Sequence, residues 1–220
     1  MLLDLLRGIS AGQAHLRAGG WHPGAPLPYE LFRGPELAGL TVGVIGAGAV
    51  GSLVEQRLRA GFGSRVLVHD PCRGDSVPLA ELLPACDAVT LHTPPVPVLG
   101  AAELALLRPG AYVVNTARSV CCDQDALCAA LATGRLGGAA LDVFDVEPLP
   151  AGSPLLTTPG LLLTPHLAGA ASDVVRHHTA MLCADVGRWV RGEPLRHDAT
   201  ARRHDMPEGR QDVPGGPVEG

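Results

Sequence analysis

The sequence has 220 residues, 46% of them hydrophobic and 18% charged, with a formal net charge of −5. That is enough apolar surface to bury a core, in one large domain or one domain with appendages. The acidic balance, in which all 17 basic residues are arginine, excludes a basic face for nucleic acid and a polybasic patch for a membrane.

Leu2, Leu3, Leu5, Leu6, Ile9 and Leu16 fall on one face of an N-terminal helix. Asp4 and Arg7 interrupt its apolar run, and it lacks the basic start and small-residue cleavage site of a secretory signal. No apolar stretch is long enough to span a membrane. Residues 19–40 are rich in Gly and Pro and read as an irregular connector. From Thr41 the chain alternates. Thr41–Ile45 reads as a strand, Val50–Ala60 as a helix and Arg65–His69 as a strand. Ala80–Leu83 is a short helix, Ala88–His92 a strand, Ala102–Leu107 a helix and Ala111–Asn115 a strand. Asp123 is placed to N-cap a helix through Ala132, with Gly134 as its stop. Ala139–Val143 and Leu161–Thr164 are two more strands, and Ser172 is placed to cap a long helix that reaches Val190 and stops at Gly192.

Strands alternating with helices predict an α/β fold, a Rossmann-type doubly wound parallel sheet with helices on both faces. The expected organisation is a helix and connector over 1–38, a dinucleotide-binding domain over 39–196 and a disordered tail over 197–220. The tail is mostly Arg, His, Asp, Pro and Gly and has too little apolar surface to order itself. Six cysteines without a zinc-type CxxC pair read as reduced, mostly buried thiols of a cytoplasmic protein.

Gly46-Ala47-Gly48-Ala49-Val50-Gly51 has the form G-x-G-x-x-G. In a chain with 28 glycines the pattern counts only through its context, and here it follows one strand and opens one helix. The first glycine permits the tight turn, the second lets backbone approach a pyrophosphate, and the third lets helix pack on strand. The amides at that helix N-terminus would face the phosphates. Asp70 ends the next strand, nineteen residues after Gly51. A carboxylate there accepts from a ribose hydroxyl and repels a 2′-phosphate, which predicts NAD as cofactor, although the nearby Arg73 could soften the preference.

Three further strand ends carry polar side chains. They are Asn115-Thr116-Ala117-Arg118, then Asp142 with Glu147-Pro148 beyond it, then Thr164-Pro165-His166. Ligands of open α/β sheets bind at the carboxyl ends of strands. Singly, Arg118 reads as a helix-flanking charge, Glu147 as a surface acid and His166 as a loop histidine. Together they offer a carboxylate grip and a proton donor, because a neighbouring carboxylate favours imidazolium. His177, His178 and His197 read as solvated side chains, with no partner at metal-ligand spacing.

The stretches GAGAVG, VLVHDP, DAVTLHTP, LLRPGAYVVNTAR, ALDVFDVEPLP and LLLTPHLAGA, running in order between Leu40 and Arg196, resemble the D-isomer-specific 2-hydroxyacid dehydrogenases. The resemblance implies an NAD-dependent reduction of a small 2-keto acid to a 2-hydroxy acid, in a homodimer. It implies that Arg118 binds the substrate carboxylate and keto oxygen, that His166 is the general acid/base, and that Glu147 orients His166. It further implies that Asp142 bonds the nicotinamide carboxamide, while Thr93, Pro94, Thr116, Ala117, Leu167, Ala168 and Gly169 line the cofactor.

The chain departs from the family in three places. The family's members carry a longer segment ahead of the position matching Met1, forming most of a separate substrate domain. The loop after Pro94 is shorter than usual, and Ser119 stands where the family has glycine. Three readings follow: a 2-hydroxyacid dehydrogenase, a non-catalytic NAD-binding or regulatory module, or a truncated remnant of such an enzyme.

Overall fold

Gly8 breaks the N-terminal helix in two. In the computed structural model, which describes residues 1–198, α1 covers Leu2–Arg7 and α2 covers Ile9–Arg17. Gly8 sits between them at φ 56, ψ 34, the left-handed geometry that closes a helix and that glycine adopts without a Cβ clash. The single apolar face expected from the sequence is therefore split: Leu6 is buried, while Ile9 and Leu16 are exposed. The connector holds more structure than expected. It contains a one-turn helix α3 (Pro28–Leu31), opened by a proline at its first position, and a 3-10 turn over Leu37–Gly39.

The apolar runs then form one sheet of six parallel strands. These are β1 (Thr41–Ile45), β2 (Arg65–His69), β3 (Ala88–Leu91), β4 (Ala111–Asn115), β5 (Leu136–Leu141) and β6 (Leu161–Leu163). Parallel neighbours need crossovers, and α4 (Ala49–Phe62), α5 (Leu79–Ala85), α6 (Ala101–Leu106) and α7 (Gln124–Ala132) supply the first four. Asp123 caps α7 as expected, its carboxylate accepting from the Ala126 amide at 3.0 Å. β5 starts earlier than the sequence suggested and stops at Leu141, before Val143. Gly137 and Gly138 lower the strand propensity of its first half, yet Gly137 is needed there. A Cβ at Gly137 would stand 2.5 Å from the Gly110 carbonyl oxygen.

The sheet is covered on both faces. Leu6 of α1 and Leu58 of α4 pack with Val42, Val44, Val66 and Val68 on one face. Leu82, Leu83, Leu104 and Leu127, from α5, α6 and α7, pack with Ile45, Val89, Leu91 and Val113 on the other. Burial on both faces is why β3 shows no alternation: all four of its residues are buried, Thr90 included. Leu82 is fully buried beside Gly43. Leu82→Ala is expected to lower stability by about 3 kcal/mol, read as a shift in the urea midpoint with unchanged slope.

The strand order is β2-β1-β3-β4-β5-β6. The chain therefore leaves β1 toward one edge and returns past it toward the other, opening a crevice between the carboxyl ends of β1 and β3. All six strands lie in a compact unit over Met1–Gly169. A second unit begins at Ala170 and contains α8 (Val174–Val190). Its N-cap is Asp173, without a side-chain capping bond, so the cap expected at Ser172 is displaced by one residue. The helix ends at Gly192 (φ 68), and Asp185 accepts from the backbone amides of Arg196 and His197. The disordered tail expected over 197–220 lies, apart from its first two residues, outside the described residues. Among the described residues no helix is long and apolar enough to cross a membrane.

Candidate active site

The glycine-rich turn between β1 and α4 borders the crevice. Gly46 has φ 87, its N–H donates to the His69 carbonyl at 2.8 Å, and a Cβ there would lie 2.6 Å from the His92 carbonyl oxygen. The turns after β1 and β3 therefore touch. A Cβ at Gly51 would meet the Gly46 carbonyl oxygen at 1.9 Å. Gly48 differs: it has no neighbour within 4 Å of a Cβ position, and it N-caps α4 with no side chain bonded to the helix amides. Gly46 and Gly51 are buried, whereas Gly48, Ala49 and Val50 are exposed. An open helix N-terminus with an unobstructed glycine fits a pyrophosphate.

Asp70 follows β2 and reaches this turn. Its Oδ2 accepts from the Ala47 amide at 2.7 Å and its Oδ1 from the Cys72 amide at 2.9 Å. Asp70 is thus fixed beside the glycine-rich turn.

At the β4 end, Asn115 is buried and shapes the turn that carries Arg118. Its Nδ2 donates to the Arg118 carbonyl at 2.8 Å, and its Oδ1 accepts from the Ala117 amide at 3.0 Å. The Arg118 side chain is exposed, its Nη1 donates to the Ala117 carbonyl at 2.6 Å, and among the described residues it forms no ion pair. Asp142, one residue past β5, is 1% exposed. Its Oδ1 accepts from the Thr164 hydroxyl at 2.5 Å and the Leu167 amide at 2.7 Å, and its Oδ2 from the Ala168 amide at 2.8 Å. Burial raises its pKa, but these three donors outweigh that and hold the carboxyl below its usual range. With three of about four acceptor positions used, Oδ2 keeps one acceptor position.

Beyond β6, Thr164-Pro165 leads into His166 at φ 53, a left-handed conformation uncommon for a residue with a side chain. Its N–H donates to the Thr164 carbonyl at 2.9 Å. The His166 Nδ1 lies 2.8 Å from Glu147 Oε2, while Glu147 Oε1 accepts from the Phe144 amide at 2.9 Å. The His166 contact and then the Phe144 amide hold the Glu147 carboxyl below its usual range. The structure therefore joins Glu147 to His166 across nineteen residues of sequence and leaves Arg118 outside that pair. Asn115 and Thr164 were missed as supports. The available signal was a polar residue ending an apolar run.

A cavity of about 370 Å³ in the same unit gathers Thr116, Asp142 and Ala168 with Thr90, His92 and Thr164. Arg118, Glu147 and His166 lie outside its wall. Thr93 and Pro94 adjoin it in sequence, and the Thr93 hydroxyl donates to Cys121 Sγ at 3.3 Å. Of the six cysteines expected to be mostly buried, Cys86, Cys121 and Cys122 are buried, Cys128 is half-buried, and Cys72 and Cys183 are exposed; burial pushes the Cys86 and Cys122 thiols up to about 12.

Burial lowers the His92 pKa from 6.5 to about 4. Between those values the unfolded chain binds a proton that the folded chain does not, so stability falls as pH drops from about 6.5 toward about 4. The loss at about pH 5 is on the order of 2 kcal/mol. His92→Gln is expected to reduce the difference between urea midpoints measured at about pH 7.5 and about pH 5.

The pattern described as D-isomer specific 2-hydroxyacid dehydrogenase, NAD binding domain, matches residues 1–168. A glyoxylate reductase of Korarchaeum cryptofilum is 33% identical over 210 residues, covering 88% of this chain and 61% of the relative. A D-specific alpha-keto acid dehydrogenase of Enterococcus faecalis is 41% identical over 170 residues, covering 68% of this chain and 52% of the relative. The chain thus spans only half to three fifths of these relatives' length. A D-isomer specific 2-hydroxyacid dehydrogenase from Xanthobacter autotrophicus, solved with NADPH and MES, superposes with a TM-score of 0.73 at 32% identity, over 92% of this chain and 84% of that one.

Proposed function

This chain belongs to the D-isomer-specific 2-hydroxyacid dehydrogenases, whose NAD-binding domain it contains, and we propose that it reduces a small 2-keto acid to the 2-hydroxy acid. The observation that carries this reading is the 2.8 Å contact between His166 Nδ1 and Glu147 Oε2. A carboxylate only accepts, so Nδ1 holds a proton and Nε2 is the atom that gives one to the substrate's carbonyl oxygen. Glu147 acts as a positioning residue, since it sets the tautomer and the ring orientation. Arg118 is the residue suited to grip the substrate carboxylate with two parallel hydrogen bonds, after leaving the Ala117 carbonyl. Bound NADH supplies the hydride. Gly48, Ala49 and Val50 receive its pyrophosphate, Asp70 a ribose hydroxyl, and the free acceptor position of Asp142 its carboxamide. Thr93, Pro94, Thr116, Ala117, Ala168 and Gly169 flank that path.

The test is oxidation of NADH by the purified protein with glyoxylate, hydroxypyruvate and pyruvate. Turnover with one of them is expected. NADH binding without any turnover would sink the enzymatic reading and favour a non-catalytic NAD-binding module, for which the bonding of Arg118 to the Ala117 carbonyl rather than to the His166–Glu147 pair is the supporting observation. We also place the working form in the cytoplasm as a homodimer. Support for pairing comes from Leu3, Ile9 and Leu16, which leave apolar surface exposed on α1 and α2. Light scattering should give twice the 22.7 kDa chain mass.

A further inference from the structure

The β2–α5 connection holds a cluster of charges that the reading above does not use. Arg73 lies three residues after Asp70, in a turn closed by two bonds. The Arg73 amide donates to the Asp70 carbonyl at 3.0 Å, and the Asp70 amide donates to the Ser76 hydroxyl at 2.9 Å. An arginine three residues from the ribose-binding acid is the kind of group a 2′-phosphate would need. Here three of its five N–H donors are taken by carboxylates. Nε and Nη2 donate to the two oxygens of Asp75, at 2.8 and 2.6 Å, and Nη1 donates to Glu55 Oε2 at 2.6 Å. Glu55 in turn accepts from Arg59 Nε at 3.0 Å. Burial opposes ionisation of Glu55, but the Arg73 and Arg59 contacts prevail and keep it charged.

We propose that Glu55 and Asp75 hold Arg73 out of reach of the cofactor, so that Asp70 selects NAD(H) and the arginine lends nothing to NADP(H). The proposal rests on the cofactor reading of Gly46–Gly51 and Asp70. Three acids, Asp70, Glu55 and Asp75, stand against two arginines, Arg59 and Arg73, which leaves the ribose end negative. A 2′-phosphate arriving there meets the Asp70 carboxylate directly. It could recruit Arg73 only by breaking a bidentate pair and a second charged hydrogen bond, interactions that are strong for their kind. The arrangement sharpens the sequence-based expectation. Arg73 follows Asp70 in the same turn, and its two carboxylate partners keep its side chain from a 2′-phosphate.

Dissociation constants for NADH and NADPH, measured by titration of the purified chain, test this without any turnover. The unaltered protein should bind NADH at least about 100-fold tighter than NADPH. Arg73→Ala alone should leave both constants within about twofold, because the side chain is already committed. Freeing it should matter: Asp75→Asn, and more so Glu55→Gln with Asp75→Asn, should tighten NADPH by at least about tenfold while NADH stays unchanged. Adding Arg73→Ala to the double variant should remove that gain. Unchanged NADH affinity reports that each variant is folded. A chain that never binds NADH overturns the cofactor reading itself. A chain that binds NADH but loses NADPH affinity on Arg73→Ala alone, or gains nothing in the double variant, overturns this proposal and leaves the cofactor reading standing.

Discussion

His166→Ala is expected to lower kcat for NADH-dependent 2-keto acid reduction by about 100- to 10,000-fold, the range for a lost general acid, with the NADH dissociation constant within about twofold of its original value. The split follows from geometry. His166 touches Glu147 and its own turn, and lies outside the cavity that gathers Thr116, Asp142 and Ala168. Glu147→Gln should cost less than His166→Ala, because a glutamine oxygen still accepts from Nδ1–H and keeps the ring oriented. Equal losses of kcat and NADH affinity in His166→Ala would contradict the assignment, since they would place the histidine on the cofactor rather than on the proton.

The second large effect is a contrast between two glycines of one turn. Gly51→Ala would drive a methyl group to 1.9 Å from the Gly46 carbonyl oxygen, and the obstacle is backbone. Gly46 is itself tied down, its N–H donating to the His69 carbonyl at 2.8 Å. The expected cost is about 3 kcal/mol or more, with loss of NADH binding as the turn deforms. Gly48→Ala meets nothing within 4 Å and sits at φ −66, an ordinary angle. Its melting temperature should be unchanged while NADH binding weakens by about tenfold or more, since the methyl occupies the approach of the pyrophosphate. Thermal melts and NADH titrations on the two variants check this. Equal destabilisation by both would show that Gly48 also serves packing.

Much of this could be read from the chain, and the misses have physical causes. Strands buried on both faces, such as β1 and β3, announce themselves as mostly apolar stretches without alternation, between Gly- and Pro-rich punctuation. The dinucleotide turn and Asp70 were legible because their partners are near in sequence or fixed by spacing. Gly8 misled because apolar periodicity continues across it, whereas its left-handed geometry breaks the helix. The first half of β5 was hidden by Gly137 and Gly138, which pack where a side chain would not fit. What no local pattern reveals is how a polar group is used once the strands come together. Asp142 takes its donors from Thr164, Leu167 and Ala168, and Arg73 has its fork filled by Asp75 and its remaining nitrogen bound to Glu55 of α4.

The short edge strand β6 has a consequence in time rather than in space. It has only three residues, pairs with β5 alone and is nowhere fully buried, whereas β3 and β4 lie deep in the sheet. Local opening begins where protection is lowest, so His166 is carried by the segment most prone to lift, and Arg118 by one that opens only with the whole sheet. The Asp142 carboxylate clips the two regimes together through Thr164, Leu167 and Ala168. In hydrogen exchange the Leu167 and Ala168 amides should therefore be slower than their exposed position suggests. Once Asp142 is replaced by alanine they should exchange quickly, well before the amides of β3 do.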